Sequence, residues 1–294
     1  MKRLSAFLFG ASLAAFAQQP RIENGRLEVK AIAGALDSAM RDLLASRSSP
    51  VWVGYGVPIV PGDRQVCGWD AGHRASHRLS LEGPSALFVL YRMEQHAVAK
   101  LRIATPDCDI DAGGLPVTWL SGVSGAGSVR YLDMLTAQER LADAALSAIA
   151  LHQDAEADRV LDARLAPDQP GKIREKAVMW LCVSRHRYEP VMRVAHDDKS
   201  PRVRGEALFW LAQGAQTKLA ADAIAGVIDN DPETEVKKKA VFALSQMRDG
   251  EGVPKLIQVA KTNRNPEVRK QALFWLGQSK DPRALQFIEE VLTR

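Results

Sequence analysis

The sequence contains neither a hydrophobic stretch long enough to cross a membrane nor any short motif that is typical of enzymes. After the N-terminus, no segment reaches the ~18 consecutive apolar residues that a transmembrane helix needs. A nucleophile elbow, a phosphate-binding loop and a zinc-protease signature are all missing, and the remaining histidines have no matching nucleophile: His96, His152, His186 and His196. We therefore predict a protein that is not an enzyme, spans no membrane and carries no cofactor.

Neither sign of charge dominates the sequence. The formal net charge is +4, and it falls to +2 once the first 17 residues are removed. Residues 171–294 carry 22 basic and 16 acidic side chains, whereas residues 18–170 carry 15 and 19. A net charge of +6 over the second half is far below that of a typical nucleic-acid-binding protein. We therefore exclude nucleic acid as a partner and expect only a weak preference for acidic partners.

The N-terminus has the three parts of a secretory signal peptide. Lys2 and Arg3 precede the apolar run Leu4–Leu13, and residues 15–17 (Ala-Phe-Ala) form a small-x-small cleavage site. We predict that residues 1–17 are a signal peptide and that the protein is exported to the periplasm or the extracellular space. The alternative is a membrane anchor, but the apolar run is too short to span a bilayer.

Cysteine is scarce, with three residues in the whole chain. Cys67 and Cys108 lie in polar, turn-rich segments, whereas Cys182 lies in an apolar helical segment. Because an exported protein meets an oxidising compartment, we predict a Cys67–Cys108 disulfide and a buried free thiol at Cys182. The alternative is three unpaired cysteines.

What the sequence does contain is a repeated pattern near its C-terminus. Four segments follow the order aliphatic, basic, two variable residues, alanine, aliphatic, two more residues, leucine; their alanines are Ala177, Ala207, Ala240 and Ala272. These alanines are 30, 33 and 32 residues apart. The aliphatic residue, the alanine and the leucine fall at i, i+4 and i+8, which is one stripe of an α-helix. Self-similarity at this period predicts an α-solenoid of stacked helical hairpins.

Helix start signals agree with this periodicity. A capping side chain precedes a first-turn proline at Ser200-Pro201, Asp231-Pro232 and Asn265-Pro266. Another helical stretch follows each of these helices, so one repeat is a helix, a short turn and a second helix.

A weaker fifth copy lies upstream of the four. Ala145 stands 32 residues before Ala177, and a second helical stretch follows it at Ala155–Leu165. This copy lacks the basic residue and the tryptophan, as a capping repeat would. We therefore place about five repeats between residues 137 and 294, within a helical domain of residues 128–294.

The repeats resemble HEAT repeats, in particular the short bacterial variety of the phycobilisome (bilin) lyases. The resemblance rests on the aliphatic-Arg-x-x-Ala-aliphatic-x-x-Leu core and covers about residues 137–294. It implies an α-solenoid, and it implies functions that range from scaffolds, adaptors and regulators to a few lyases. The residues before the array resemble no family.

Residues 18–126 predict a small α+β domain that is mostly β. Apolar runs bounded by Gly, Pro and Asp predict strands at 26–32, 51–57, 85–92, 97–104 and 115–120, and helical spacing predicts a helix at 35–44. The segment 121–128, rich in glycine and serine, is a predicted linker, with Ser128 opening a helix towards the array.

An acidic segment in this domain is similar to a calcium loop. Asp107, Asp109 and Asp111 alternate before a pair of glycines, as oxygen ligands do around Ca²⁺. The glycine comes one place late, however, and the twelfth position is Thr118 rather than glutamate. We interpret the segment as an acidic turn between strands and leave cation binding open.

A second cluster has a spacing that suits zinc. Cys67 is followed by His73 and His77, and two histidines four residues apart share one face of a helix. No fourth ligand is evident and Cys67 is predicted to be bridged, so we assign no metal.

Tryptophan recurs at one position of the repeats, in Trp180, Trp210 and Trp275. At this helical spacing we predict that these side chains pack between repeats. In the β region the aromatic side chains are less constrained, and an exposed pair could bind a glycan or a peptide; they are Trp52, Tyr55 and Trp119.

These patterns together predict an exported, non-catalytic protein-binding or scaffold protein of the cell envelope. We expect the stacked second helices to form the contact surface, and the predicted partner-binding residues are Arg193, Lys255, Gln258 and Lys261. One alternative is a β domain that senses a ligand or a metal, with the solenoid as transmitter. Another is an enzyme similar to the bilin lyases or isomerases. The sequence names neither the partner nor the oligomeric state.

Overall fold

A computed structural model describes residues 19–62, 66–67, 83–215 and 217–293. The predicted signal peptide, residues 1–17, lies outside these ranges. Within them, no helix is long and apolar enough to cross a membrane.

The chain forms a strand-rich unit followed by helices. The strands are β1 (Arg21–Glu23), β2 (Leu27–Ala31), β3 (Val51–Pro58), β4 (Ala86–Glu94), β5 (Ala97–Ala104), β6 (Asp109–Asp111) and β7 (Val117–Ser121). The helices are α1 (Leu36–Ser46), α2 (Gly125–Leu135), α3 (Glu139–Leu151), α4 (Ala155–Ala163), α5 (Gly171–Val183), α6 (Glu189–Asp197), α7 (Pro201–Gly214), α8 (Lys218–Asn230), α9 (Thr234–Ser245), α10 (Val253–Thr262), α11 (Pro266–Gln278) and α12 (Pro282–Leu292). The expected fold class, a helical solenoid preceded by a small, mostly β unit, is confirmed.

Residues 21–121, called the sheet unit below, contain a five-stranded sheet in the order β2-β7-β3-β4-β5. Strands β3, β4 and β5 pair in antiparallel fashion, whereas β7 runs parallel to both β2 and β3. The five strands and the helix that the sequence predicts are all present. The short parallel pair β1 and β6 was not predicted, because three-residue strands carry little periodic signal.

The two faces of this sheet bury different side chains. On one face Tyr55 and Tyr91 are fully buried and belong to the same hydrophobic cluster as residues of α1, α2 and α3. On the other face Trp119 and Phe88 meet edge to face, with ring centroids 5.0 Å apart. A Cβ at Gly54 would lie 3.0 Å from the Trp119 ring, so this strand position needs glycine.

Helix α2 begins within the segment 121–128 that was predicted to be a linker. It begins at Gly125, where the Ser124 hydroxyl caps the helix by accepting from the Gly127 N–H at 3.1 Å. Ser128 is therefore not the residue that opens the helix; it lies within the first turn and is completely buried. The hydrophobic cluster of the sheet unit continues through α2 into the helices that follow.

Residues 139–293, called the array below, form five helical hairpins within the described part of the chain: α3–α4, α5–α6, α7–α8, α9–α10 and α11–α12. The first helices stack on one another, and most of the second helices form a parallel layer. The repeated alanines are fully buried where these helices meet: Ala177, Ala207, Ala240 and Ala272. Trp180 is buried, Trp210 packs partly buried against the core, and Trp275 of α11 contacts Phe242 of α9 at 5.1 Å, so packing between repeats is shown for Trp275.

The predicted helix caps are only partly correct. Asn265 caps α11 as expected, because its side chain accepts from the Glu267 N–H at 3.0 Å. The Ser200 side chain makes no capping bond to α7. Helix α9 begins at Thr234, so Asp231 is not its cap but the residue that ends α8.

Asp231 takes part in a buried ion pair and also accepts from the Glu233 N–H at 2.8 Å. Arg204 donates to both carboxylate oxygens of Asp231, at 2.6 and 2.9 Å, and both side chains are almost fully buried. One repeat earlier, Arg174 binds Asp198 in the same two-pronged way at 2.7 and 2.9 Å. The basic residue of the repeat pattern thus clamps its helix to the turn that ends the hairpin. The Asp231 bond raises the pKa of Arg204, so this guanidinium stays charged despite its burial.

Candidate partner-binding surface

Three of the four predicted partner-binding residues come together on α10. Gln258 and Lys261 are exposed, and Lys255 is half-buried one turn earlier. The Lys255 ammonium lies 2.6 Å from Asp222 of α8, in the preceding repeat. The Lys261 ammonium lies 5.1 Å above the ring of Phe287 on α12, in the following repeat. Both lysines therefore join neighbouring second helices in addition to facing solvent.

Asp222 binds two cations at once. Its carboxylate lies 2.8 Å from Lys218 on its own helix as well as 2.6 Å from Lys255. The bonds from Lys218 and then Lys255 lower the pKa of Asp222 to about 2. Lys255, which the sequence predicted as a partner-binding residue, thus has an ion-pair partner within the chain.

Arg193 lies two repeats away from the α10 residues and lines a groove. The groove has a volume of about 320 Å³ and opens between α4 and α6, which do not pack closely although the later second helices do. Its lining residues are Asp162, Leu165, Ala166, Pro167, Pro190, Arg193, Val194, Asp197 and Asp198. This volume is at the lower end of the range for ligand pockets in proteins.

The groove is lined by both apolar and charged residues. Leu165 and Val194 are among the apolar ones, and Asp162 is the charged residue that α4 contributes. One Asp162 oxygen accepts from Arg187 at 2.8 Å, whereas the other is buried and has no hydrogen-bond partner in the described part of the chain. Arg193 is 63% exposed and pairs with Glu189 at 3.1 Å, so its guanidinium can turn towards a partner.

A long connection explains why the groove forms at this place. Seven residues, 164–170, separate α4 from α5, whereas three residues separate α6 from α7. The prolines of the long connection, Pro167 and Pro170, were visible in the sequence and could have indicated it. Arg193 was predicted from the sequence, whereas Asp162 and the apolar lining residues Leu165 and Val194 were not.

The structure joins Cys67 and Cys108 in a disulfide, as predicted, with their Cα atoms 5.5 Å apart. The bridge removes the Cys67 thiolate from any zinc site, and His73 and His77 lie outside the described residues. Cys182 is a buried free cysteine, and burial raises the pKa of its thiol to about 12. Such a thiol is unreactive.

The acidic segment 107–111 is held by contacts within the chain. Asp109 lies 3.0 Å from Arg21, and Asp111 accepts from the Gly113 N–H at 2.7 Å and from the Asn24 amide at 3.1 Å. Among the residues that the structure describes, no three His, Cys, Asp or Glu side chains are grouped as metal ligands would be. The segment contributes strand β6 rather than a bare turn.

A buried chain of polar side chains joins the sheet unit to the array. Tyr91 lies 2.6 Å from Tyr55, Tyr55 lies 2.7 Å from Ser128, and Ser128 lies 2.7 Å from His152 Nε2. All four residues are fully buried. Burial raises the pKa of both tyrosines and lowers the pKa of His152 to about 4, so the imidazole is neutral at pH 7. The sequence argument placed Tyr55 among possible ligand-binding aromatics, but it is part of the interior.

The direction of each hydrogen bond in this chain follows from the neutral imidazole. His152 Nδ1 lies 2.6 Å from the Ala148 carbonyl, which can only accept, so the ring proton is on Nδ1. Nε2 then accepts from Ser128, Ser128 accepts from Tyr55, and Tyr55 accepts from Tyr91. Protonation of Nε2 would reverse all three bonds and leave a buried hydroxyl hydrogen without an acceptor in this chain.

The five stacked hairpins define a class of protein, the α-solenoids, in which each repeat packs on its neighbours and exposes an extended surface. Residues 221–294 match the family of HEAT repeats. The C-terminal part of the array thus contains HEAT repeats, as the repeat pattern predicted. Such repeats suggest interaction with other proteins.

Comparisons over a larger part of the chain reveal only distant similarity. No curated protein sequence matches the chain. Among solved structures, one similar chain belongs to the complex of CpcE and CpcF of phycocyanin lyase from Nostoc sp. PCC7120. It is 17% identical with a TM-score of 0.39, and the alignment covers 52% of this chain and 98% of that chain. Similarity of this degree is too distant to transfer the lyase activity.

Proposed function

We propose that this protein is an exported, non-catalytic protein-binding solenoid of the cell envelope, and that its second helices form the contact surface. Export is supported by the three-part N-terminus, with Lys2 and Arg3 before an apolar run and a cleavage site after Ala17. Analysis of the native N-terminus tests this part, with Gln18 as the expected first residue. Full-length chain recovered from the cytoplasm would contradict it.

The groove between α4 and α6 is the observation that carries the binding proposal. It is the place where the layer of second helices separates, and both apolar and charged residues line it, among them Leu165, Val194 and Arg193. An apolar cavity with a few polar groups on its rim is the usual form of a recognition site. The Arg193 side chain lines the groove and is exposed, so it can contact a partner without a change in the fold.

A charge reversal at the groove, with a matched control, tests the proposal. Arg193→Glu removes a guanidinium that is 63% exposed and pairs with Glu189 one turn away. Arg159→Glu removes a guanidinium that is 74% exposed and pairs with Glu156 one turn away, but Arg159 does not line the groove. In pull-downs from the envelope fraction with the mature protein, we expect Arg193→Glu to lose its partner and Arg159→Glu to retain it. Equal retention by both variants would refute the groove as the contact site.

A second candidate function is that the sheet unit senses a ligand and the array transmits the signal. The buried chain from Tyr91 to His152 favours this candidate, because it links the central strands directly to the end of α3. Calcium is the first probe, since Asp107, Asp109 and Asp111 are similar to a calcium loop in sequence, although the structure does not group them as ligands. If calcium is an input, amide exchange in α2 and α3 should slow on its addition, and Ser128→Ala should abolish the effect. Unchanged exchange would exclude calcium as the input.

A further inference from the structure

The first helices also present a recurring outward-facing side chain. Phe209, Phe242 and Phe274 occupy the same repeat position on α7, α9 and α11, two residues after the buried alanine. They are 33 and 32 residues apart. The buried stripe of α11 consists of Val268, Ala272 and Leu276, so Phe274 does not belong to the core.

On α9 and α11 these rings join into one surface, the aromatic patch, formed by Phe242, Phe274 and Trp275. The Trp275 ring lies 5.1 Å from Phe242 and 5.0 Å from Phe274, measured between centroids. Phe274 is 54% exposed, and the other two rings are partly exposed. Clustered exposed aromatic side chains on a soluble protein mark a site of interaction with another molecule.

Two lysines without an ion pair in the described part of the chain lie close in sequence to the aromatic patch. Lys270 lies four residues before Phe274 on α11, and Lys239 lies three residues before Phe242 on α9, with its side chain extending over Gly205 of α7. Both lysines are exposed, and neither makes a salt bridge within the described part of the chain. Three other cations on the first helices are paired: Lys176 with Asp143, Arg202 with Glu175 and Lys238 with Glu235. The patch therefore combines apolar area with uncompensated positive charge.

We propose that the aromatic patch docks an acidic amphipathic helix of a partner protein. The apolar stripe of such a helix would cover the rings of Phe242, Phe274 and Trp275, and its flanking carboxylates would pair with Lys239 and Lys270. The rings lie on two adjacent helices, whose axes are ~8–10 Å apart. Two turns of a partner helix cover about the same distance, 11 Å. This surface belongs to the first helices and does not depend on the groove between the second helices.

A designed peptide probes this chemistry directly with the full chain. The probe is an acetylated helix of about 18 residues with leucine at i, i+3, i+4 and i+7 and glutamate elsewhere, and its counterpart has lysine in place of every glutamate. In calorimetric titrations at low salt, we expect the acidic peptide to bind at least about tenfold more tightly than the basic one. Raising the salt concentration to about 0.5 M should weaken the binding. No binding of the acidic peptide at about 1 mM, or equal affinity for the two peptides, would overturn the proposal.

Substitutions in the full chain test whether the acidic peptide binds at the aromatic patch. Phe274→Ala and the pair Lys239→Glu with Lys270→Glu should each weaken the acidic peptide about tenfold or more. Leu219→Ala is the control for apolar area, because Leu219 is 68% exposed on α8 in the other layer. The pair Lys172→Glu with Lys280→Glu is the control for net charge, since it reverses two exposed lysines elsewhere. Controls that weaken binding as much as the patch variants, or patch variants that bind as wild type does, would refute the assignment.

Discussion

The sheet unit and the array are stabilised by different kinds of contact. The sheet unit buries large aromatic side chains from distant strands, such as Tyr55, Tyr91 and Trp119, and a disulfide spans 41 residues of it. The array buries a small alanine at the same place in every repeat and adds an arginine clamp in two of them. The sheet unit thus depends on long-range contacts that form together, whereas the array is a sum of similar local interfaces. Four perturbations test this contrast, and they are ordered by expected effect.

The largest effect is expected from Ala240→Arg in the array. Ala240 is completely buried between helices, so an arginine there must bury an unpaired charge or push the repeats apart, at a cost of about 5 kcal/mol or more. Lys238→Ala is the control on the same helix, because Lys238 is partly exposed and pairs only with Glu235. Its effect should stay within about 0.5 kcal/mol. Thermal melts that show equal Tm values for both variants would contradict the packing described above.

The next effect is expected from loss of the disulfide in the sheet unit. Closing a loop with a sequence separation of 41 residues stabilises the folded chain by about 4 kcal/mol in the chain-entropy model. We therefore expect Cys67→Ser with Cys108→Ser to lower stability strongly, and Cys182→Ser to have a smaller effect. Urea unfolding followed at the tryptophans measures both variants. A double variant as stable as the wild type would show that the bridge does not constrain the unfolded chain.

The free energy of unfolding should depend on pH through His152, which lies where the sheet unit meets the array. The pKa of His152 is lowered from 6.5 to about 4 in the folded protein, so between these values the unfolded chain binds the proton more readily. Stability is then fully present above pH 6.5 and falls by about 3 kcal/mol as the pH drops to 4. Urea unfolding at several pH values should give a flatter profile for His152→Gln than for the exposed control His186→Gln. Identical slopes would contradict burial of a neutral imidazole.

The smallest effect is expected on the second helices. Lys255→Glu places a carboxylate beside Asp222, which should lower the Tm slightly through repulsion between neighbouring repeats. Gln258→Glu also introduces a carboxylate on α10, with a charge change of −1 instead of −2, at an exposed position without such a neighbour, and it should leave the Tm unchanged. Thermal melts at low salt compare the two. A Tm for Lys255→Glu that equals that of Gln258→Glu would show that the Asp222 contact contributes nothing.

The array could be predicted from the sequence because its contacts are periodic. The alanines at a period of about 32 residues determine the helix faces, and the helix type follows from the i, i+4, i+8 stripe. The sheet unit could be predicted only as a set of strands, since the pairing of β2 with β7 joins segments ninety residues apart. The residues near β2 in the sequence do not indicate that β7 is its partner strand.

The candidate site was the least predictable part. Arg193 could be selected as a polar residue on a second helix, but the groove depends on the long connection after α4 and on Asp162, which no repeat position marks. Asp231 was misread as a helix cap, because the sequence does not show that an arginine 27 residues earlier binds it. Tyr55 was read as a surface aromatic, because only the folded chain brings it beside Ser128 and Tyr91.

The arginine clamps have a mechanical consequence, since they are not distributed evenly along the array. Arg174 and Arg204 each hold a carboxylate with two bonds, whereas Lys237 reaches only the Asp229 carbonyl and Arg269 only carbonyls of the preceding turn. We therefore expect bending and twisting to concentrate beyond α8, with a stiffer region before it. The groove lies in the stiffer region, so we expect its shape to change little when a partner binds. The aromatic patch lies in the more flexible C-terminal part of the array, so we expect its curvature to adapt to a bound partner.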